Sequence, residues 1–192
     1  MTEKENNLSE FESLIRNRRT VHDFEERAVS SSEITSAISL ARWAPNHYRT
    51  EPWRFYLPSG EQIEAICKLN AEMVRGAKGE KVAEIKYRRW TAMPGWLVLC
   101  CPKSDDEIRE REDYAACCCA AHNMSLVLWA RGIGMKWTTG DITRERAFFE
   151  IIGADFNQEF VVGMFWYGYP KVVPDQQRRP VADILVEFSG SD

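Results

Sequence analysis

The sequence predicts an α+β fold, and three observations carry that reading. Apolar residues recur at helical spacing behind capping signatures near the N-terminus. The nearly unbroken apolar run Trp96-Leu-Val-Leu-Cys-Cys101 has the length of a strand buried on both faces, and Glu159 to Tyr169 is long and aromatic-rich, with the composition of a strand. No repeat or low-complexity linker divides the chain, and 192 residues with 44% hydrophobic content suffice for one core, so residues 1–192 read as a single domain.

Taken in order, residues 1–8 read as a polar tail. Leu8 ahead of Ser9-Glu-Phe-Glu12 has the pattern of a hydrophobic residue before a capping box, and Phe11, Leu14 and Ile15 share a face, which predicts a first helix from about Glu10 to Asn17. Ser30 and Glu33 repeat the signature. Ile34, Ala37, Ile38 and Ala41 follow at helical spacing until Pro45, so a second helix delivers Trp43 to its C-terminal end. Trp53 to Leu57 reads as a strand closed by Pro58-Ser-Gly60, and Glu61 to Glu72 as a helix. Residues 74–93 are highly charged without a clean period and read as a mobile lid or variable insertion. Asp105 to Arg131 reads as the longest helix, ended by Gly132, and its Ala-, Cys-, Met- and Leu-rich second half implies a buried central position. Thr143 to Ile152 forms another helix, Glu159 to Tyr169 is the strand before Pro170, and the apolar tail from Val181 to Phe188 needs a partner surface.

Composition excludes several function classes. A net charge of −4 lacks the surplus of Lys and Arg that a general nucleic-acid binder needs. MTEKENNLSEFES has no apolar signal core, and no stretch reaches bilayer-spanning length, so the expected location is the cytosol. The six cysteines, Cys67, Cys100, Cys101, Cys117, Cys118 and Cys119, contain no C-x-x-C pair. Three consecutive helical residues diverge by about 100° each, so all six read as small core hydrophobes and no metal is expected. His22, His47 and His122 lack metal-ligand spacing, and His122 reads as a satisfied core histidine. There is no G-x-S-x-G elbow, Walker loop or G-x-G-x-x-G turn; Gly132-Ile-Gly134 lacks the third glycine.

Two segments carry chemistry. Arg16, Arg18, Arg19 and Thr20 lie where the first helix ends, and guanidinium forks with a hydroxyl suit a terminal phosphate. Arginines in a last helical turn also simply satisfy carbonyls. The loop Trp43 to Trp53, stiffened by Pro45 and Pro52, offers His47, Tyr48, Arg49 and Thr50 for stacking and hydrogen bonding around a flat ring, or else is an ordinary helix-to-strand connection.

Arg18-Arg19-Thr20, Ala44-Pro45-Asn46-His47 with Glu51-Pro52-Trp53-Arg54-Phe55, Arg131-Gly-Ile-Gly134 before Trp137-Thr-Thr-Gly140, and Val161-Val-Gly163 with Tyr167-Gly-Tyr-Pro170 together resemble the nitroreductase-like FMN-dependent oxidoreductases. The resemblance implies a central, mainly antiparallel sheet flanked by helices, and an intertwined homodimer with two FMN sites across its interface. It implies that Arg18, Arg19 and Thr20 contact the flavin phosphate and ribityl chain, that Trp43 and His47 contact flavin, and that His47 reaches the partner's. The Trp137-Thr138-Thr139 turn would meet the flavin, and Arg179 would join the phosphate site. Family members often carry a basic residue at His22, where positive charge favours the reduced anionic flavin, and an Asn and a Gln at Arg49 and Glu51. Arg49 could restore a lost positive charge or reshape access. The implied activity is ping-pong transfer from NAD(P)H, with hydride passing through flavin N5 to a nitroaromatic, quinone or enone and no side chain acting as nucleophile. Two rival readings are a flavin-binding storage or sensing dimer without turnover, and a structural dimer whose arginines only cap helices.

Overall fold

The computed structural model describes residues 3–187; Phe188, the end of the expected apolar tail, lies outside them. Six α-helices and four strands are described: α1 (Glu3–Asn17), α2 (Ser31–Ala41), β1 (Arg54–Tyr56), α3 (Gly60–Lys78), α4 (Glu80–Thr91), β2 (Trp96–Pro102), α5 (Glu107–Ala130), β3 (Gly134–Thr138), α6 (Arg146–Ile152) and β4 (Glu159–Gly168). The strands form one sheet in the order β1-β2-β4-β3, and every neighbouring pair is antiparallel. The α+β class and the antiparallel sheet are therefore as the sequence implied.

The sheet is covered on both faces, which is why β2 is apolar without alternation. Leu97, Leu99 and Cys101 pack with Ala37 of α2 and Cys117, Ala121 and Met124 of α5. Trp96, Val98 and Cys100 point the opposite way, to Ile66 and Cys67 of α3, Trp90 of α4 and Phe148 of α6. In β4 the alternation changes phase. Leu99 pairs with Gly163 but the next residue, Cys100, pairs with Val161, so Val162 is an extra residue in the ladder. Before this bulge Phe160 and Val162 share the α5 face; after it Phe165 and Tyr167 do, while Met164 and Trp166 turn to α3 and α4.

Local signals place most helices where the sequence put them. The Ser30 hydroxyl accepts from the Glu33 N–H at 3.4 Å, and Asp106 caps α5 by accepting from the N–H groups of Ile108 and Arg109 at 3.0 and 3.3 Å. Glu33 does not complete the box. Its carboxylate instead receives Arg131 Nη1 at 2.7 Å, and Arg131 Nη2 donates to the Ser36 hydroxyl at 2.9 Å, tying α2 to the end of α5.

Several expectations need correction. Helix α1 begins at Glu3, so most of the expected polar tail is helical and Ser9 lies inside the helix, not at its cap. Residues 74–93 form the end of α3 and all of α4, with Ala83 and Trp90 buried and Trp90 packed on Trp96 and Trp166 of the sheet. The expected helix from Thr143 splits into a 3₁₀ turn, Asp141–Arg144, and α6. Cys119 and His122 are exposed on α5, not core residues; Cys67, Cys100, Cys101 and Cys117 are buried and Cys118 is half-buried. Among the described residues no helix is long and apolar enough to cross a membrane.

The β1 edge is fixed by a buried carboxylate. Glu159, at 2% exposure, accepts from Arg54 Nη1 at 2.7 Å and from the Tyr56 hydroxyl at 2.8 Å. Burial first, then the hydrogen bond and charge of Glu159, push the Tyr56 phenol up from 10.0 to about 12. The raised value belongs to the folded state, so this group's contribution to stability is fully present below the unfolded phenol value and is lost as pH rises through the folded one. Chemical denaturation should accordingly show stability falling between pH 10 and about 12. Tyr56→Phe should flatten that alkaline limb; an unchanged limb in the variant would assign it to other groups.

Candidate active site

The residues following α1 run beside the open edge of the sheet. Thr20 bridges Met135 in parallel, the Val21 N–H donates to the Met135 carbonyl at 3.2 Å, and the Glu25 N–H to that of Tyr169 at 2.8 Å. An extended chain alternates its faces, so burying Val21 sets Thr20 and His22 on the other side, where both are exposed. Arg18 begins the same row.

Arg18 is half-buried and has no carboxylate in ion-pair range among the described residues. Burial first, then the charges of Arg178 and Arg19, hold its pKa below the ordinary guanidinium value. A desolvated cation crowded by other cations is a receptor for an anion. Arg178 lies close enough for its charge to act on Arg18, and Arg179, expected at the phosphate site, is the next residue. Arg19 has local work as well: its Nη1 donates to the Arg16 and Arg18 carbonyls at 2.5 and 3.1 Å, closing the end of α1.

The loop after α2 is held in an unusual backbone. Tyr48, Arg49 and Glu51 all have positive φ, at 58°, 53° and 47°, a region that L-residues enter at a cost of about 1–3 kcal/mol each. Side chains compensate. Asn46 Oδ1 accepts from the Glu51 N–H at 2.7 Å, its Nδ2 donates to the Thr50 hydroxyl at 2.9 Å, and that hydroxyl donates to buried Asp113 of α5. His47 stacks on Tyr48 with centroids 3.9 Å apart, and its Nδ1 lies 2.9 Å from a Glu112 carboxylate oxygen. Tyr48 and Trp43 are left 73% and 76% exposed. Asn46, Glu112 and Asp113, none singled out by sequence reasoning, therefore fix the loop that presents His47, Tyr48 and Arg49. For Asn46 a signal existed, since Asn before a polar run favours such local turns.

The turn after β3 depends on the bulge. Trp137 Nε1 donates to the carbonyl of Val162, the extra residue, at 3.0 Å, and its ring lies 5.2 Å from that of Phe165. A Cβ on Gly163 would overlap the indole. Trp137 is thus fastened to the sheet and orients half-buried Thr138 and exposed Thr139 beyond it. The row Arg18–Thr20–His22 and this turn both belong to the β3 edge; Trp43, His47 and Arg49 lie at the α2–α5 side, with His47 and Thr50 attached to α5 through Glu112 and Asp113.

The match to the family model described as "Nitroreductase family" spans residues 15–169. The chain belongs to the nitroreductase family. Membership makes it an enzyme of the FMN-dependent NAD(P)H oxidoreductase class. It is 29% identical to YfhC of Bacillus subtilis (strain 168), which carries a provisional NAD(P)H nitroreductase name, over 97% of this chain and 98% of that one. The solved nitroreductase-like family protein from Bacillus cereus superposes with a TM-score of 0.80 at 28% identity, covering 93% of this chain and 96% of the other. The FMN-dependent nitroreductase NfnB from Mycobacterium smegmatis, solved in complex with NADPH, shares the fold at a TM-score of 0.74 and 16% identity, over 95% of this chain and 99% of that one.

Gly163→Ala tests the anchoring of the Trp137 turn. The added methyl should expel the indole, break the 3.0 Å bond to Val162 and cost about 1–3 kcal/mol as an overpacking substitution. Denaturation with an unchanged slope and a red-shifted tryptophan emission would show this; wild-type stability would mean that the indole has another seat.

Proposed function

We propose that the protein is a homodimeric FMN-dependent NAD(P)H oxidoreductase that reduces nitroaromatic, quinone or enone acceptors by a ping-pong sequence. The observation that carries this reading is Arg18: half-buried, crowded by Arg178, without a carboxylate partner, and at the head of a row that continues through Thr20 to His22. From Arg18 to His22 an extended chain spans about 13 Å, enough to run from a phosphate along a ribityl chain to a ring. The donor set therefore fits FMN.

Arg18 and Arg178 would hold the phosphate, with Thr20 donating beside them, and Arg179 next in the chain is available to the same anion. Arg19 would contribute mainly charge, since its Nη1 is bound to helix carbonyls. The Trp137–Thr139 turn would border the ring on this subunit; Trp43, His47 and Arg49 would reach the ring of the partner. FMN, when bound there, would supply two-electron transfer between a nicotinamide and the acceptor. His22 and Arg49 would place positive charge near the ring. No side chain need act as a nucleophile; the chain's part is to orient the ring, favour negative charge on it and exclude water.

Dimerisation is supported by unpartnered apolar surface. Leu8, Phe11 and Ile15 form one stripe of α1 and are 59%, 55% and 48% exposed, and Val181, Ile184, Leu185 and Val186 of the tail are exposed by more than half. A second copy of the chain is the occupant proposed for both.

Absorption spectra of the purified protein before and after anaerobic NADPH addition test the reading. A yellow protein that bleaches supports it; a colourless protein, or a yellow one that stays oxidised, overturns it. Arg18→Ala should release FMN, because each lost charge-assisted hydrogen bond is worth about 1.5–3 kcal/mol; unchanged FMN affinity would remove Arg18 from the site. Deletion of residues after Arg179 should cost both dimerisation and flavin. A truncated protein that sediments as a yellow dimer would refute that coupling.

A further inference from the structure

Two consecutive acids of α5, Glu112 and Asp113, grip the loop from Asn46 to Glu51, and they do so unequally. Glu112 meets His47 Nδ1 at 2.9 Å with the two side chains 37% and 59% exposed, a setting in which water screens the pair. Asp113 is buried and accepts from the Thr50 hydroxyl. No cation lies in ion-pair range of Asp113 among the described residues, so the Thr50 hydroxyl is the donor that compensates this carboxylate for its lost water.

The loop's other bonds set its shape but not its place. The Arg49 N–H reaches the Asn46 carbonyl only at 3.4 Å, and the Asn46 amide binds the His47 carbonyl, the Thr50 hydroxyl and the Glu51 N–H, all within the loop itself. Thr50 joins shape to place. It accepts from Asn46 Nδ2 at 2.9 Å and donates to Asp113, one turn from Cys117 on the stretch of α5 that packs into the core. The tie matters because Tyr48, Arg49 and Glu51 all have positive φ, a region that such side chains rarely adopt and that persists only where surrounding contacts enforce it. Relaxation of Tyr48 and Arg49 to ordinary φ would redirect the side chains that the loop displays.

We propose that Asp113 is a positioning residue for the reduction reaction: through Thr50 it holds the loop in the backbone that presents His47 and Arg49 to the flavin ring. The proposal rests on the reading that places those two side chains at the ring of the partner subunit's flavin. Asp113 acts only through Thr50, and what it steadies is the positive charge of Arg49 beside that ring.

The test joins a readout of the loop to a readout of the reaction. Amide hydrogen exchange at Glu51, measured with saturating FMN, reports the loop without any turnover; the limiting rate at which NADPH bleaches bound FMN under anaerobic conditions reports the reaction. Thr50→Val should speed exchange at Glu51 and slow bleaching, each by about tenfold, the size expected when a hydrogen bond to a charged group is lost and a reacting pair is misaligned. Thr50→Ser keeps the donor and Asp113→Asn keeps an acceptor, so both should stay within a few-fold of wild type. Because Thr50→Val leaves a buried carboxylate unpaired, it should also lower global stability, and the double variant Thr50→Val with Asp113→Leu, which removes both polar partners, should recover that stability while bleaching stays slow. Unchanged exchange in Thr50→Val overturns the anchor. Bleaching that recovers together with stability in the double variant, or that is unchanged in Thr50→Val despite faster exchange, reduces Asp113 to a structural role and overturns the proposal while leaving the flavin reading intact. A wild-type protein that neither binds FMN nor oxidises NADPH overturns the flavin reading and the positioning role with it, whatever the exchange shows.

Discussion

Coverage of the sheet on both faces governs where chemistry can occur. The inner strands β2 and β4 are sandwiched between α2 and α5 on one side and α3, α4 and α6 on the other, so neither face can accept a ligand without exposing the core. What remains is the β3 edge and the ends of the helices. The segment after α1 partly closes that edge through Thr20 and Val21, and in doing so turns alternate residues outward. Burial of Val21 and exposure of His22 are consequences of one backbone geometry.

The bulge at Val162 has a similar reach. A regular β4 would keep Phe160, Val162 and Met164 on one face, whereas the extra residue lets Met164 and Trp166 fill the α3–α4 side while Phe165 fills the other. It also offers a carbonyl to Trp137 and requires Gly163 to leave room for the indole. Core packing and the placement of Thr138 and Thr139 are therefore coupled through one irregularity in the ladder.

Sequence reasoning found what periodicity and capping encode and missed what depends on direction. The apolar run of β2 and the Ser30 cap were legible because each is a local pattern. The start of α1 was not, since residues before Leu8 carry no apolar stripe and only the helix preference of Glu and Lys extends the helix. Residues 74–93 concealed a stripe, Ala83, Lys86, Tyr87 and Trp90, at helical spacing, in which Lys86 is half-buried. In α5 the apolar residues surround the axis, so composition could not tell that Cys119 and His122 face outward.

Two partly buried cations, Arg18 and Lys136, stand out in a chain whose net charge is −4. Some exposed acids and bases neutralise each other locally, as in the Arg75–Glu80, Arg88–Glu84 and Arg144–Asp141 pairs, where each charge is satisfied within its own or the adjacent element. Arg18, beside Arg178, and Lys136, beside Arg89 and Lys86, are instead set against like charge and partly desolvated. Such an arrangement is unfavourable to the isolated chain, because burial and repulsion both oppose the ionised form. An anionic ligand adds an attraction to both cations that offsets the burial and the repulsion. Arg18, partly buried beside like charge, therefore marks where binding energy is held in reserve, at the phosphate end of the proposed flavin site.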